Sequence, residues 1–169
     1  MTILTAVDGE TVPSEAVERG AELADAYGVE HIVLHVMPQD LFEDFRSSTG
    51  GSANPTLTTP ASYGSPDEPP SYTVGKDENY TIQDGERHAT GVARDVVEET
   101  LGEVSGTTLK GRVGEPVQEI LSEAKRRDAQ YLVIGGRKRS PTGKALFGSK
   151  TQSVLLEADR PVVTVMTGE

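Results

Sequence analysis

The residues of this chain best suited to chemistry are glycines set beside hydroxyls and cations. Gly135-Gly136-Arg137-Lys138 ends an apolar run, and Gly148-Ser149-Lys150-Thr151 opens a helical pattern. Glycine lets the backbone approach a ligand closely and leaves its N–H groups bare. A helix start adds unpaired N–H donors and the positive end of the helix dipole, a combination that suits a phosphate. The Ser149 hydroxyl is placed either to cap that helix or to bond a phosphate oxygen. Residues 125–150 hold Lys125, Arg126, Arg127, Arg137, Lys138, Arg139, Lys144 and Lys150 against Asp128 alone, a window of +7 in a chain of −11. A basic island of this kind focuses a field on a polyanion. It is equally compatible with a solvated cationic face paired to acidic neighbours.

Other chemistries lack their residues. There is no cysteine, hence no disulfide framework, thiolate metal site or thiol nucleophile. The stretch from Gly143 to Thr151 is reminiscent of a P-loop, but Ser149 separates Gly148 from Lys150, and Gly143-Lys144 is followed by Ala145. A P-loop needs Gly-Lys-Ser/Thr in direct succession. No G-x-G-x-x-G follows the first apolar run, which argues against a nicotinamide enzyme, and no G-x-S-x-G elbow is present. Asp8 is a lone carboxylate where a receiver domain would cluster several. Of the three histidines, His31 and His35 flank a buried run and read as structural.

Five short, β-branched runs must position these residues: Thr2–Val7, His31–Met37, Thr107–Val113, Tyr131–Gly135 and Pro161–Met166. Several are continuously apolar, as in strands covered on both faces. Helical stripes lie between them: Ala16 to Tyr27 before Gly28, Ala89 to Leu101 before Gly102, Val117 to Ala124 behind Pro116, and Val154 to Ala158. The alternation predicts one α/β domain over residues 1–169, a doubly wound parallel sheet of five strands with helices on both faces. Residues 38–79 hold 6 of the 10 prolines and few large apolar side chains, and are predicted to form an inserted, flexible loop. It is read as a solvated spacer or a functional lid. Open sheets bind ligands beyond strand C-termini where the winding reverses. If the first and fourth strands are neighbours, Ala6-Val7-Asp8-Gly9 meets Gly135-Gly136-Arg137-Lys138 there.

The acidity argues against a general nucleic-acid binder, and no apolar run is long enough to span a membrane. The N-terminal residues lack a basic leader, so the expected compartment is the cytoplasm. Only 6 of the 16 basic residues are lysine, a balance that fits a salt-loaded cytoplasm. At ~1 M salt the screening length is ~3 Å, and acidic self-repulsion largely vanishes.

Taken together, the motifs resemble the universal stress protein family. Val7-Asp8-Gly9-Glu10 stands where that family has a Val-Asp-Gly-Ser sequence. His35-Val36 ends the second strand, and Val113-Gly114-Glu115-Pro116 precedes a helix as in the family. The nucleotide-binding branch carries G-x2-G-x9-G-[ST], whose frame falls on Gly135, Lys138, Gly148 and Ser149, followed by Thr151 and Arg160-Pro161-Val162-Val163. The likeness runs along the chain except for 38–79. It implies strand order 3-2-1-4-5, a homodimer, and ATP or another adenine nucleotide, whose phosphates can carry Mg2+; the uncharged run Pro161–Met166, a sheet edge in that order, is the expected dimer surface. Asp8, Val36 and Ala6 would then lie near the adenosine. Gly135, Gly148, Ser149 and Thr151 would surround ribose and phosphates, with Arg137, Lys138 and Lys150 alongside. Lys138 departs from the motif glycine and Lys150 from a common valine. A lysine in left-handed backbone would cost about 1–2 kcal/mol, against about 1.5–3 kcal/mol from a charge-assisted phosphate bond. Three functions are consistent with this likeness: a nucleotide-responsive regulator with slow or no turnover, a nucleotide hydrolase, and a nucleotide-free dimeric interaction module.

Overall fold

The computed structural model describes residues 1–12, 14–47, 80–137 and 148–167. Five parallel strands, β1 (Thr2–Val7), β2 (Glu30–Pro38), β3 (Thr107–Gly114), β4 (Ala129–Arg137) and β5 (Val162–Thr167), form one sheet in the order β3-β2-β1-β4-β5. The helices are α1 (Glu15–Tyr27), α2 (Gln39–Ser47), α3 (Ile82–Leu101), α4 (Pro116–Arg126) and α5 (Ser149–Glu157). No described helix is long and apolar enough to cross a membrane.

The two-sided burial expected from the continuous apolar runs is present. On one face α1 and α3 pack Val17, Ala93, Val96 and Val97 against Val33, and Ala16 and Ala24 against Ile3 and Val133. On the other, Val117 and Ala124 of α4 and Val154 of α5 cover Leu4, Leu34, Val36, Leu132 and Ile134. Local signals set the helix ends. Ser14 caps α1, and Thr81 and Asp84 form a reciprocal capping box on α3. Gly28 (φ 64°) and Gly102 (φ 78°) end the same two helices in left-handed backbone, where a side chain would be strained.

The segment read as loop from residue 38 begins differently. β2 continues through Pro38, and Gln39–Ser47 form α2. Phe42 of that helix is only 2% exposed and packs with Met37 and Ala89, flanked by Leu41, Phe45, Tyr80 and Val113. Leu41, Phe42 and Phe45 share one helical face, and docking on β2 and α3 stabilises a helix too short to persist alone. The remainder of the expected insertion, 48–79, lies outside the described residues.

Candidate functional site

Ala6 of β1 is in register with Ile134 of β4, so the C-terminal ends of these strands are neighbours. From β1 the chain turns to α1 on one face, and from β4 it proceeds to α5 on the other. The crevice between them is the point where the winding reverses. Half-buried Ala6 and buried Val36 lie on the α4/α5 face, in one apolar cluster with Ile134 and Val154. They make the sheet surface at these strand ends apolar.

The start of α5 supplies polar donors. Gly148 occupies the cap position with φ −59°, and among the described residues no side chain caps the helix. The Gln152 N–H donates to the Gly148 carbonyl at 2.9 Å, so the N–H groups of Ser149, Lys150 and Thr151 lack intrahelical partners. The sequence admitted Ser149 as the cap. It is instead the first helical residue and, like Lys150, it is exposed. The Thr151 hydroxyl donates to the Gly135 carbonyl at 3.4 Å, joining the first turn of α5 to the end of β4. A Cβ on Gly135 would meet nothing nearer than the Ala16 Cβ at 4.0 Å, and one on Gly148 nothing within 4 Å. Neither glycine is therefore demanded by internal packing.

Asp8 lies just beyond β1 and is exposed. Its Oδ1 accepts the Glu10 and Thr11 backbone N–H groups, both at 2.9 Å, and its Oδ2 accepts the Thr11 hydroxyl at 3.0 Å. The carboxylate thus holds the loop that borders the crevice. Thr11 is a site residue absent from the sequence reading; its signal is an Asp followed by Thr three places on, a local turn pattern. His35 is buried, and its Nδ1–H donates to the Val7 carbonyl at 3.0 Å. Burial lowers its pKa, partly countered by the Val7 bond and the Asp8 charge and reinforced by Lys150. It is therefore a neutral ring at pH 7, consistent with a structural role. His31 is likewise held neutral, with its pKa lowered to about 4 by burial and its Nε2 bonded to the Thr5 hydroxyl at 2.9 Å.

The basic window is split by the fold. Arg126 and Arg127 both bind the fully buried carboxylate of Glu123. The Thr2 hydroxyl donates to the Arg127 carbonyl at 3.3 Å, which places that residue at the N-terminal edge of the sheet, opposite the crevice. These arginines contribute nothing local to an anion at α5. Lys150, by contrast, lies on the first turn of α5 and is near enough to His35 to act on it electrostatically. Arg137 is the last residue of β4, paired with Thr167. Lys138, Arg139 and Lys144 lie outside the described residues.

The crevice joins a reversed winding point, a helix start with no described side-chain cap and a strand end at Gly135 with room beside it. Comparison with known proteins gives this arrangement a family. The model of the universal stress protein family matches residues 56–166. The chain belongs to the universal stress protein family. A universal stress protein of Mycolicibacterium smegmatis is 48% identical over 48 residues, 28% of this chain and 37% of that one. The chain spans only 28–37% of the length of the curated universal stress proteins it matches. A solved universal stress protein from Archaeoglobus fulgidus superposes with a TM-score of 0.55 at 25% identity, covering 97% of each chain. A structure of the universal stress protein from the same organism in complex with dAMP gives 0.51 at 22%, covering 97% of this chain and 96% of that one. The family match takes in Gly135, Gly148, Ser149 and Thr151 but begins after Ala6, Asp8 and Val36. In this universal stress protein those three residues join the others only through the β2-β1-β4 pairing.

Proposed function

We propose that this universal stress protein binds an adenine nucleotide in the β1–β4 crevice, with ATP and an accompanying Mg2+ as the physiological form. The observation that carries this reading is the start of α5, with no described side-chain cap, beside Gly135 and the apolar sheet surface of Ala6 and Val36. Base and sugar would rest on that surface near Asp8, with the phosphates at the N–H groups of Ser149, Lys150 and Thr151. Arg137, Lys138 and Lys150 are the cations proposed to face the phosphates. The protein that binds dAMP shares this fold. A regulatory role with slow or no turnover fits better than hydrolysis, because Asp8 is committed to bonds within its own loop rather than poised as a general base. The proposed setting is cytoplasmic, and the acid excess fits a salt-rich one.

Gly148→Asp separates binding from folding. Aspartate is among the best N-cap residues, and a side chain at 148 meets no neighbour. The variant is expected to keep or slightly raise its Tm, because the new carboxylate can accept from N–H groups that lack intrahelical partners. That carboxylate would repel a phosphate, so ATP affinity is expected to fall about tenfold or more, a loss of at least ~1.4 kcal/mol. Calorimetry and thermal shift with millimolar ATP measure both. No ATP binding by the unmodified protein, or undiminished binding by the variant, would overturn the assignment.

We further propose a homodimer through β5. β5 is a sheet edge, half-exposed throughout Val162–Thr167, with no charged residue between Pro161 and Thr167. The other edge, β3, carries Lys110 and Arg112, and Arg112 binds both Glu86 and Glu123. Edges are commonly protected by such charges, and a pair of β5 edges about a two-fold axis closes the assembly. Light scattering at micromolar concentration is expected to show a dimer, and Val163→Lys a folded monomer. A dimer unchanged by that lysine would place the interface elsewhere.

A further inference from the structure

The edge of the sheet opposite the crevice carries a tyrosine pair that nucleotide binding does not use. Tyr27 ends α1 and Tyr131 lies near the start of β4, 104 residues apart in sequence. Their hydroxyl oxygens are 3.2 Å apart, while the ring centroids are 5.5 Å apart and tilted by 34°. The rings therefore converge at their hydroxyl ends. Tyr27 is 49% exposed, so the pair is open to a small oxidant. The chain has no cysteine and no tryptophan, which leaves its five tyrosines and three methionines as the main side chains that oxidants attack. Met37 is fully buried. Tyr80 is bonded to His88 at 2.7 Å and flanked by Phe42 and Phe45, with no second phenol of the described residues beside it.

We propose that Tyr27 and Tyr131 form an oxidative modification site, at which a peroxide-driven one-electron oxidant couples the two rings into a dityrosine cross-link. The hydrogen bond between the two hydroxyls, with Tyr131 donating, raises the pKa of Tyr131, so that phenol keeps its proton at neutral pH. Each ring gives up one electron and its phenolic proton. The two phenoxyl radicals join through carbons ortho to the hydroxyls, and both rings re-aromatise by moving the ortho hydrogens to oxygen. One hydrogen peroxide accepts both electrons and both protons and leaves as two waters. The product has lost two hydrogen atoms and ties the end of α1 to β4 across most of the chain. A tether closing so long a loop restricts the unfolded chain most.

The test treats the folded protein with hydrogen peroxide and a haem peroxidase. The expected product runs as a single chain under denaturing conditions, shows blue biphenol fluorescence, and yields a joined peptide of Tyr27 and Tyr131 two hydrogens lighter than its parts. Its Tm should rise on the order of 10 °C. Tyr27→Phe and Tyr131→Phe each keep a ring for packing and should abolish the product, while Tyr80→Phe should leave it. Denaturing the chain first should also abolish it. A cross-link between other tyrosines, a product formed only between molecules, an undiminished yield in Tyr27→Phe, or oxidation of Met1 with no cross-link would each overturn the proposal.

Discussion

Replacing Gly111 with alanine is expected to cost at least ~3 kcal/mol, seen as a Tm drop of about 10 °C. A Cβ at 111 would stand 2.0 Å from the Glu86 carbonyl oxygen and 2.4 Å from the Thr90 backbone nitrogen. Both are main-chain atoms of α3, so no side chain can swing away, and relief requires the helix to lift from β3. Lifting it would open the apolar contacts that Ala93, Val96 and Val97 make on that face. Gly91, on the same helix, is the control. A Cβ there meets nothing within 4 Å, so Gly91→Ala should instead stabilise by about 0.5–1 kcal/mol through helix propensity. Urea unfolding of the two variants decides the matter. Equal effects of the two alanines would mean that close approach at 111 is not what positions α3.

Glu123→Gln is expected to destabilise by about 3 kcal/mol at pH 7. The Glu123 carboxylate is fully buried. Its Oε2 accepts Arg112 through Nε at 3.1 Å and Nη2 at 2.9 Å, together with a bond from Arg126, and its Oε1 accepts Arg127 Nε at 2.9 Å. Removing the charge leaves three guanidinium groups converging on a neutral amide. The pH dependence has a definite sign. Burial by itself would raise the pKa of Glu123, but the bonds from Arg127 and Arg112 and the charges of Arg112 and Arg126 outweigh it and hold it below the ordinary 4.5. A depressed carboxyl contributes stability that is fully present above the unfolded-state value and is lost as pH falls through the folded one. Stability of the unmodified protein should therefore decline below about pH 4.5, and the Gln variant should lose much of that acid limb. Parallel acid limbs in the two proteins would show that other carboxylates carry the titration.

The charge count was the least reliable part of the sequence reading. Eight cations within residues 125–150 suggested one field, but a count has no direction. α4 runs antiparallel to the strands, which carries Arg126 and Arg127 to the far edge, and Glu123 binds them there. Of the two roles open to Ser149 by residue type, the cap is not the one it takes. Serine is a good cap by type, yet the turn at Gly148 decides which residue is first to be helical, and that turn depends on how the chain leaves β4.

What the sequence by itself determined is the set of elements and their alternation. All five strands and the helix patterns of α1, α3, α4 and α5 were legible, because periodic burial and caps such as Gly28 and Gly102 act over a few residues. The strand order was legible only through family likeness, since pairing is a contact between distant segments. The tertiary structure alone decided that Gln39–Ser47 is helical, because Phe42 is stabilised by Met37 and Ala89, which its own neighbours in sequence do not supply. It alone decided that Asp8 is engaged with Thr11, that Ala6 and Val36 fall in one apolar cluster, and that the end of β4 at Gly135 is joined to the first turn of α5. Local pattern specifies an element's type through short-range sterics and burial; the company an element keeps depends on long-range packing, whose loop-closure cost and apolar gain no window of residues contains.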